Sequence, residues 1–450
     1  MSGRTHVSTT NACKLCTPLG AALAFRGVEG AVPFLHGSQG CATYMRRYVI
    51  SHYREPMDIA SSALGEKHAI HGGGPNLKKG LLNVMKKYHP QLVGVATTCL
   101  TETIGDDVTR ILREFRTEFG DLDLPDIVHV STPSFSGTHM EGWHAAVRAL
   151  TDQLTVASPP NGRTCLLPGL VSPADIRHLR DVLGAFGLDP VILPDISDTL
   201  DGPGLEDYAP IPAGGTPLEE IRTLAGARGV VEMGRTLTGK DSAGKALLAR
   251  HGVPLYRVGI PIGLRETDTF MDALERISRR TMPLELGQER GRLVDAMVDG
   301  HKYVSGKTAV VYGDADMVVG LCSFLSEIGI RPVLAATGAR GVDLEGRIGT
   351  FCGDLLPELP LTREGADFHE IATLASSLLP DILVGNSKGY RYARDWNIPL
   401  VRTGFPIHDR FGGQRLLHVG YTGALALFDR IVNAIIERSQ TASSVGYGYL

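Results

Sequence analysis

The sequence has no long hydrophobic run: nothing in its 450 residues approaches the roughly 18 uninterrupted apolar residues of a membrane span. Its polar start, Met1 to Asn11, has no apolar centre of the kind that drives secretion. A cytoplasmic protein without a membrane partner is therefore expected. Neither sign of charge dominates, and a net −4 gives no electrostatic case for nucleic acid or an acidic membrane surface. The short basic stretch at Arg46-Arg47 is explained equally well by a solvated helix face. Cys13 and Cys16 form one C-x₂-C pair with no second pair, which argues against a structural zinc ribbon. His369-Glu370 lacks the second histidine of a zincin helix. Gly234-Arg-Thr-Leu-Thr-Gly239-Lys240 has the spacing of a phosphate loop, yet Asp241 stands where Ser or Thr should hold Mg²⁺. A carboxylate there repels phosphate, so nucleotide binding by this chain is not expected.

What the sequence does contain is a globular balance of 43% hydrophobic and 21% charged residues, over a length that exceeds one ordinary core. Short apolar runs alternate with amphipathic segments, the pattern of α/β units with parallel sheets. Asn76 to Tyr88 reads as a helix followed by a strand through Leu92–Thr98. Thr164-Cys-Leu-Leu, a helix from Pro173 and Pro190-Val-Ile-Leu form a second βαβ unit. Ala309-Val-Val-Tyr, a helix from Ala315 to Ile328 and Pro332-Val-Leu-Ala form a third. Val253-Pro-Leu-Tyr-Arg-Val-Gly-Ile-Pro-Ile262 recurs as Ile398-Pro-Leu-Val-Arg-Thr-Gly-Phe-Pro-Ile407, each copy expected to lead into a helix. Boundaries are expected near Pro159-Pro160-Asn161-Gly162 and near a polar helix ending at Gly300. The reading is three Rossmann-like domains, 1–160, 161–300 and 301–450.

Three of the seven cysteines fall at strand–loop–helix junctions. Cys16 precedes a helix with Pro18 in its first turn. Cys41 ends His36-Gly-Ser-Gln-Gly-Cys41, between the strand-like Ala31–Leu35 and a helix expected from Ala42 to Tyr53. Cys99 follows the strand through Thr98 and precedes what reads as a loop rich in Thr, Glu and Asp. Open α/β sheets place ligands at such carboxyl ends of strands. Thiolates are the soft ligands of iron–sulfur clusters, helix N-termini favour an anionic cluster, and Gly37 and Gly40 let the backbone approach closely. A cysteine at a strand end is also a common small core residue, so composition alone leaves both readings open. Cys165 and Cys322 read as core, and Cys352 is undecided.

The segments Cys16-Thr-Pro-Leu-Gly-Ala-Ala, His36-Gly-Ser-Gln-Gly-Cys-Ala-Thr-Tyr44, His52-Tyr-Arg-Glu-Pro56 and Thr97-Thr-Cys-Leu-Thr-Glu-Thr-Ile-Gly-Asp-Asp107 resemble the β-subunit family of nitrogenase component 1. The likeness is dense from about residue 10 to 145 and returns at His301–Pro332 and Gly404–Arg410. The resemblance implies three Rossmann-like domains with clusters at the domain and subunit interface. It implies that Cys16, Cys41 and Cys99 supply half of an eight-iron P-cluster shared with an α-type subunit in an α2β2 heterotetramer. Ser134, in Thr132-Pro-Ser-Phe135, matches a serine that adds a hydroxyl ligand on oxidation. Tyr44 matches a tyrosine between this relay and the catalytic iron–sulfur cofactor, which the partner holds. The electron donor would be an ATP-hydrolysing iron–sulfur reductase docking at an edge matched by His71 and Gly72-Gly-Gly74, where the nitrogenase β chain carries an aromatic in place of His71.

Three members of the family compete. Nitrogenase β subunits usually carry a long N-terminal extension, which the position of Cys16 leaves no room for. The β chain of the cofactor-assembly scaffold is short, and Ala22-Leu-Ala-Phe-Arg-Gly27 resembles it, but it typically keeps only the middle cysteine. A short chain with all three cysteines looks most like the β-type subunit of methylthio-alkane reductase, which reduces C–S bonds. A protein of another class, a cluster-free binding protein on the same fold, would be colourless where an iron–sulfur protein is brown.

Overall fold

A computed structural model of the chain describes residues 11–207 and 209–445; the polar start at residues 1–10 lies outside them. The molecule is an α/β protein with three parallel sheets. The first contains β1 (Ala31–His36), β2 (Ala60–Ser61), β3 (Leu92–Thr97) and β4 (Asp126–Val130) in the order β2-β1-β3-β4. The second contains β5 (Thr164–Leu167), β6 (Pro190–Ile192), β7 (Gly229–Met233) and β8 (Leu255–Val258) in the order β6-β5-β7-β8. The third contains β9 (Thr308–Gly313), β10 (Arg331–Thr337), β11 (Leu361–Arg363), β12 (Ile382–Gly385) and β13 (Leu400–Arg402) in the order β11-β10-β9-β12-β13. The strand pairs are parallel throughout, as expected where helices return the chain across each face.

Both faces of a central strand are buried, which is why β1 reads as one apolar run. Ala31 and Leu35 pack into a core that draws on all three sheets, while Val32 and Phe34 face a second cluster with Leu77, Val93 and Ile111. The large cluster runs from Leu15 to Ile435, so the three sheets share one apolar interior. Among the described residues, no helix is long and apolar enough to cross a membrane.

The topology positions the chemistry. In the first sheet the chain crosses from β1 to β2 on one side and from β2 over to β3 on the other, so the crossovers part between β1 and β3. A crevice opens outside the carboxyl ends of strands at such a switch point. Cys41 follows β1 and Cys99 follows β3. The same logic brings Gly234, after β7, and Asp314 and Lys388, after β9 and β12, to the switch points of the other two sheets.

Several expectations are corrected. The helix carrying Cys41 begins at Gln39 rather than Ala42, so Cys41 lies in its first turn. The segment after β3 is a short helix, Cys99–Ile104, because Thr98 and Thr101 close a reciprocal capping box that outweighs its polar composition. The polar helix does not end at Gly300 but runs Leu284–Val304. Gly300 is buried, and a Cβ there would lie 2.5 Å from Phe428 Cζ, so glycine marks the close crossing of this helix with helix Gly420–Ala442. The repeat is real as β8 and β13, each an edge strand, and each copy precedes a long helix as expected, Gly263–Ser278 and Gly420–Ala442.

Candidate functional site

Cys16 occupies the N-cap position of helix Thr17–Arg26, which is buried along its entire length. Its place is fixed by a close helix crossing: a Cβ on Gly142 would collide with the Thr17 carbonyl, and one on Gly20 with that of His139. Leu15 and His139 add a main-chain hydrogen bond of 3.1 Å beside the crossing. On the opposite side, Lys388 donates to the carbonyls of Ala12 (2.6 Å) and Lys14 (3.0 Å). The segment that presents Cys16 is thus held from two sheets at once.

The turns that lead into the Cys41 and Cys99 helices are packed against each other. A Cβ on Gly37 would collide with the Thr98 side chain, so Gly37 serves loop-to-loop contact. Gly40 meets nothing nearer than Ser38 Oγ at 3.9 Å and leaves the backbone open on that side. Cys41 Sγ accepts a hydrogen bond from Ser38 Oγ at 3.3 Å.

Ser134 joins the segments of the other two cysteines. Its backbone N–H donates to Cys99 Sγ at 3.2 Å, and its Oγ accepts from Thr17 N–H at 3.2 Å, next to Cys16. The Ser134 turn is anchored behind by Thr132, whose hydroxyl donates to the Thr97 carbonyl at 2.7 Å, and in front by Lys14, whose ammonium donates to the Gly137 carbonyl at 3.0 Å. Burial pushes the Cys16 thiol above its ordinary value; Ser134 and Lys14 pull it back, and Cys99 and Cys41 push it further up. The Cys99 and Cys41 thiols thus both lie within charge range of Cys16. All three are only partly buried, so the cluster of thiols opens outward.

A cavity of about 160 Å³ elsewhere is lined by Cys13, Lys240 and Asp316, among others. A roomier one, about 250 Å³, adjoins Cys16 and Ser134 and is bordered by Tyr44, Tyr48 and Lys388. Tyr44 is 53% exposed, with its hydroxyl 2.9 Å from that of Tyr48 and the rings edge-to-face at 5.1 Å. Tyr44 lies one turn beyond Cys41 on the same helix, so both belong to one exposed face.

The remaining cysteines separate from this group. Cys13 is 4% exposed, packs with Val310, Tyr312 and Phe368, and has its thiol pushed up to about 12 by burial. Cys165 and Cys322 are core residues, and Cys352, also buried, donates to the Ile348 carbonyl at 3.2 Å. The phosphate-loop look-alike does sit between a strand and a helix, but the Thr236 amide and hydroxyl are both bonded to Asp316, at 2.8 and 2.7 Å. The backbone donor that phosphate would need is already engaged by a carboxylate.

Sequence reasoning missed Lys14, Ser38, Tyr48 and Lys388 as parts of this site. Lys14 lies inside the C-x₂-C pair and Ser38 beside Cys41, a proximity that could have flagged them. Lys388 is separated from Cys16 by most of the chain and carried no sequence signal.

The match to known proteins agrees with this arrangement. The profile of the nitrogenase component 1 type oxidoreductases matches residues 16–436, from the first of the three cysteines into the last long helix. The chain belongs to that family. The nitrogenase molybdenum-iron protein beta chain of Methanothermobacter marburgensis is 38% identical over 432 residues, covering 94% of this chain and 93% of that one. Those of Clostridium pasteurianum (32% over 429 residues, 95% and 93%) and Azotobacter vinelandii (34% over 451 residues, 96% and 84%) are similar too. A solved chain titled "Nitrogenase Cp1 at pH 6.5" superposes with a TM-score of 0.96 at 31% identity, covering 100% of this chain and 98% of that one. The family member described here is therefore an oxidoreductase subunit of β-chain type.

Among the described residues, no three His, Cys, Asp or Glu side chains are arranged to hold a single metal ion. The three thiols near an open face have the soft-donor chemistry of an iron–sulfur cluster site.

Proposed function

We propose that this chain is the β-type subunit of a nitrogenase-like reductase and holds half of an eight-iron P-cluster through Cys16, Cys41 and Cys99. The observation that carries this reading is Ser134, whose amide donates to Cys99 Sγ and whose hydroxyl accepts from the Thr17 N–H next to Cys16. A hydroxyl in this turn would be available as an added ligand when the cluster is oxidised. The cluster would supply storage and onward transfer of electrons. The chain's own groups hold the ligand segments, keep the Ser134 turn against them through Lys14, and present Tyr44 on the face beside Cys41. The other ligands, and the catalytic iron–sulfur cofactor, belong to an α-type partner in an α2β2 assembly. An ATP-hydrolysing iron–sulfur reductase would dock over His71 and Gly72–Gly74, beside the exposed Ile70.

For the reaction at the partner, the complete cysteine set supports an electron-relaying reductase over an assembly scaffold, and reduction of C–S bonds in methylthio-alkanes is the first reading. Chain length does not separate this from dinitrogen reduction, because the aligned regions span 93% of the M. marburgensis beta chain and 84% of the A. vinelandii one. The identity to named nitrogenase beta chains favours dinitrogen reduction as the second reading.

The test purifies the α/β complex anaerobically and supplies reductase, ATP and a strong reductant. Methanethiol release from a small thioether is the expected result. Ammonia formation in its place would establish the second reading, and transfer of a cluster to apo-nitrogenase without turnover would assign the chain to an assembly scaffold. A colourless, iron-free complex would overturn the cluster assignment altogether.

A further inference from the structure

A buried polar tie runs from the surface segment 71–74 to the loops that carry Cys41 and Cys99. Its centre is Asp106, which follows the Cys99 helix and is 8% exposed at the side chain. Both carboxylate oxygens accept from the Gly73 N–H, at 3.1 and 3.0 Å, and one accepts from His36 Nε2 at 3.1 Å. His36, fully buried at the end of β1, has its Nδ1 2.9 Å from Ser62 Oγ, which also accepts the Gly37 N–H at 2.9 Å. The His36 carbonyl in turn accepts from Thr98 N–H at 3.1 Å and Thr101 Oγ at 2.9 Å. Asp106 and His36 thus link the surface segment to the two cysteine loops by hydrogen bonds.

The contact is also tight. A Cβ on Gly73 would lie 2.6 Å from Asp106 Oδ2 and 2.8 Å from His36 Cε1, so segment 71–74 cannot shift inward without moving them. Packed polar contacts of this kind transmit displacement because each leaves a costly unpaired group if it breaks. Burial holds His36 toward its neutral form, in keeping with one N–H given to Asp106 and one nitrogen accepting from Ser62.

We propose that Asp106 is a positioning residue that couples reductase docking at segment 71–74 to the geometry of the Cys41 and Cys99 loops, through Gly73 and His36. This rests on the reading of the chain as a cluster-bearing subunit that receives electrons at that edge. The reductase would press or pull on the Gly73 amide, and Asp106 would pass the change to the loops on either side of His36. Asp106 touches neither thiol and acts only through these neighbours.

The test compares wild-type α/β complex with Asp106→Ala, Asp106→Asn and Gly73→Ala. Hydrogen exchange is followed in peptides covering 71–76 and 97–106, with and without reductase and ATP. In wild type, docking should slow exchange in both peptides. In Asp106→Ala the response at 71–76 should remain and that at 97–106 should vanish. Electron transfer at saturating reductase should fall on the order of tenfold, a usual size for coupling between sites, with half-saturation and iron content unchanged. Asp106→Asn still offers an acceptor to Gly73 N–H and a polar partner to His36, and should restore both readouts. Gly73→Ala breaks the contact from the docking side and should reproduce the uncoupling. Persistence of both exchange responses in Asp106→Ala, a raised half-saturation at unchanged rate, or loss of iron along with the rate would each overturn the coupling role. Wild-type complex without iron would instead sink the parent reading, so the two failures are distinct.

Discussion

Cys13 and Cys16 are separated by only two residues, and the fold gives them opposite environments. Cys13 faces the apolar layer of the third sheet, where burial keeps its thiol protonated, whereas Cys16 caps a helix beside Ser134 and Lys14. Replacing Cys16 with Ala should therefore abolish or sharply reduce cluster iron in the α/β complex, since a missing thiolate leaves an iron without an equivalent ligand. Cys13→Ala should keep its iron and lose about 1 kcal/mol of stability, the scale of a small core truncation. Iron analysis beside thermal unfolding checks both, and equal iron loss in the two variants would reverse the assignment. The ligand candidates were legible because Gly, Pro and Thr flank them in strand-end patterns. That Ser134 would join the segments of two of them was not, since its partners are brought by a separate strand and helix.

At the scale of elements, glycines set the closest approaches. The sequence makes Gly300 look like a helix stop, yet the residue lets two long helices cross where a side chain would meet Phe428. Gly300→Val should destabilise the fold by about 1–3 kcal/mol through overpacking, and Phe428→Leu in the same chain should recover part of that loss. Chemical denaturation of the single and double variants measures this; additive losses would mean that the two residues do not share the contact. Strands were legible because buried parallel strands are continuous apolar runs. Helix starts were less so: the Thr98–Thr101 capping box turned a loop-like polar stretch into helix Cys99–Ile104.

Across the whole molecule, the first and third sheets are tied near the site by His52. The Ile407 N–H donates to its Nδ1 at 2.8 Å, which requires that nitrogen to be unprotonated. Burial pushes the imidazole down to about 3, with the charges of His418, His408 and Arg54 acting in the same direction and the Ile407 backbone against them. The folded value lies below the ordinary one of about 6.5, so the unfolded chain binds the proton first. The stability His52 contributes is complete above pH 6.5 and is lost as pH falls from there toward 3. Its size is on the order of a few kcal/mol. His52→Gln, which keeps an acceptor but does not titrate, should lose less stability than wild type across that window. Thermal unfolding at pH 7, 5.5 and 4.5 tests this, and parallel losses in both proteins would remove His52 from the account.

The sequence by itself determined the α/β class, the parallel pairing and the three cysteines at strand ends, because hydrophobic runs, turn residues and helix-start signals act over a few residues. It also carried the family likeness, since that resides in contiguous motifs. Only the tertiary structure decided which groups surround those cysteines. Lys388 reaches the Ala12 and Lys14 carbonyls from the third sheet, Ser134 joins the Cys99 thiol to Thr17 beside Cys16, and Asp106 meets Gly73 beneath the surface. These contacts arise where the carboxyl ends of separate strands converge on one shared core, and separation along the chain hides them until the chain is folded.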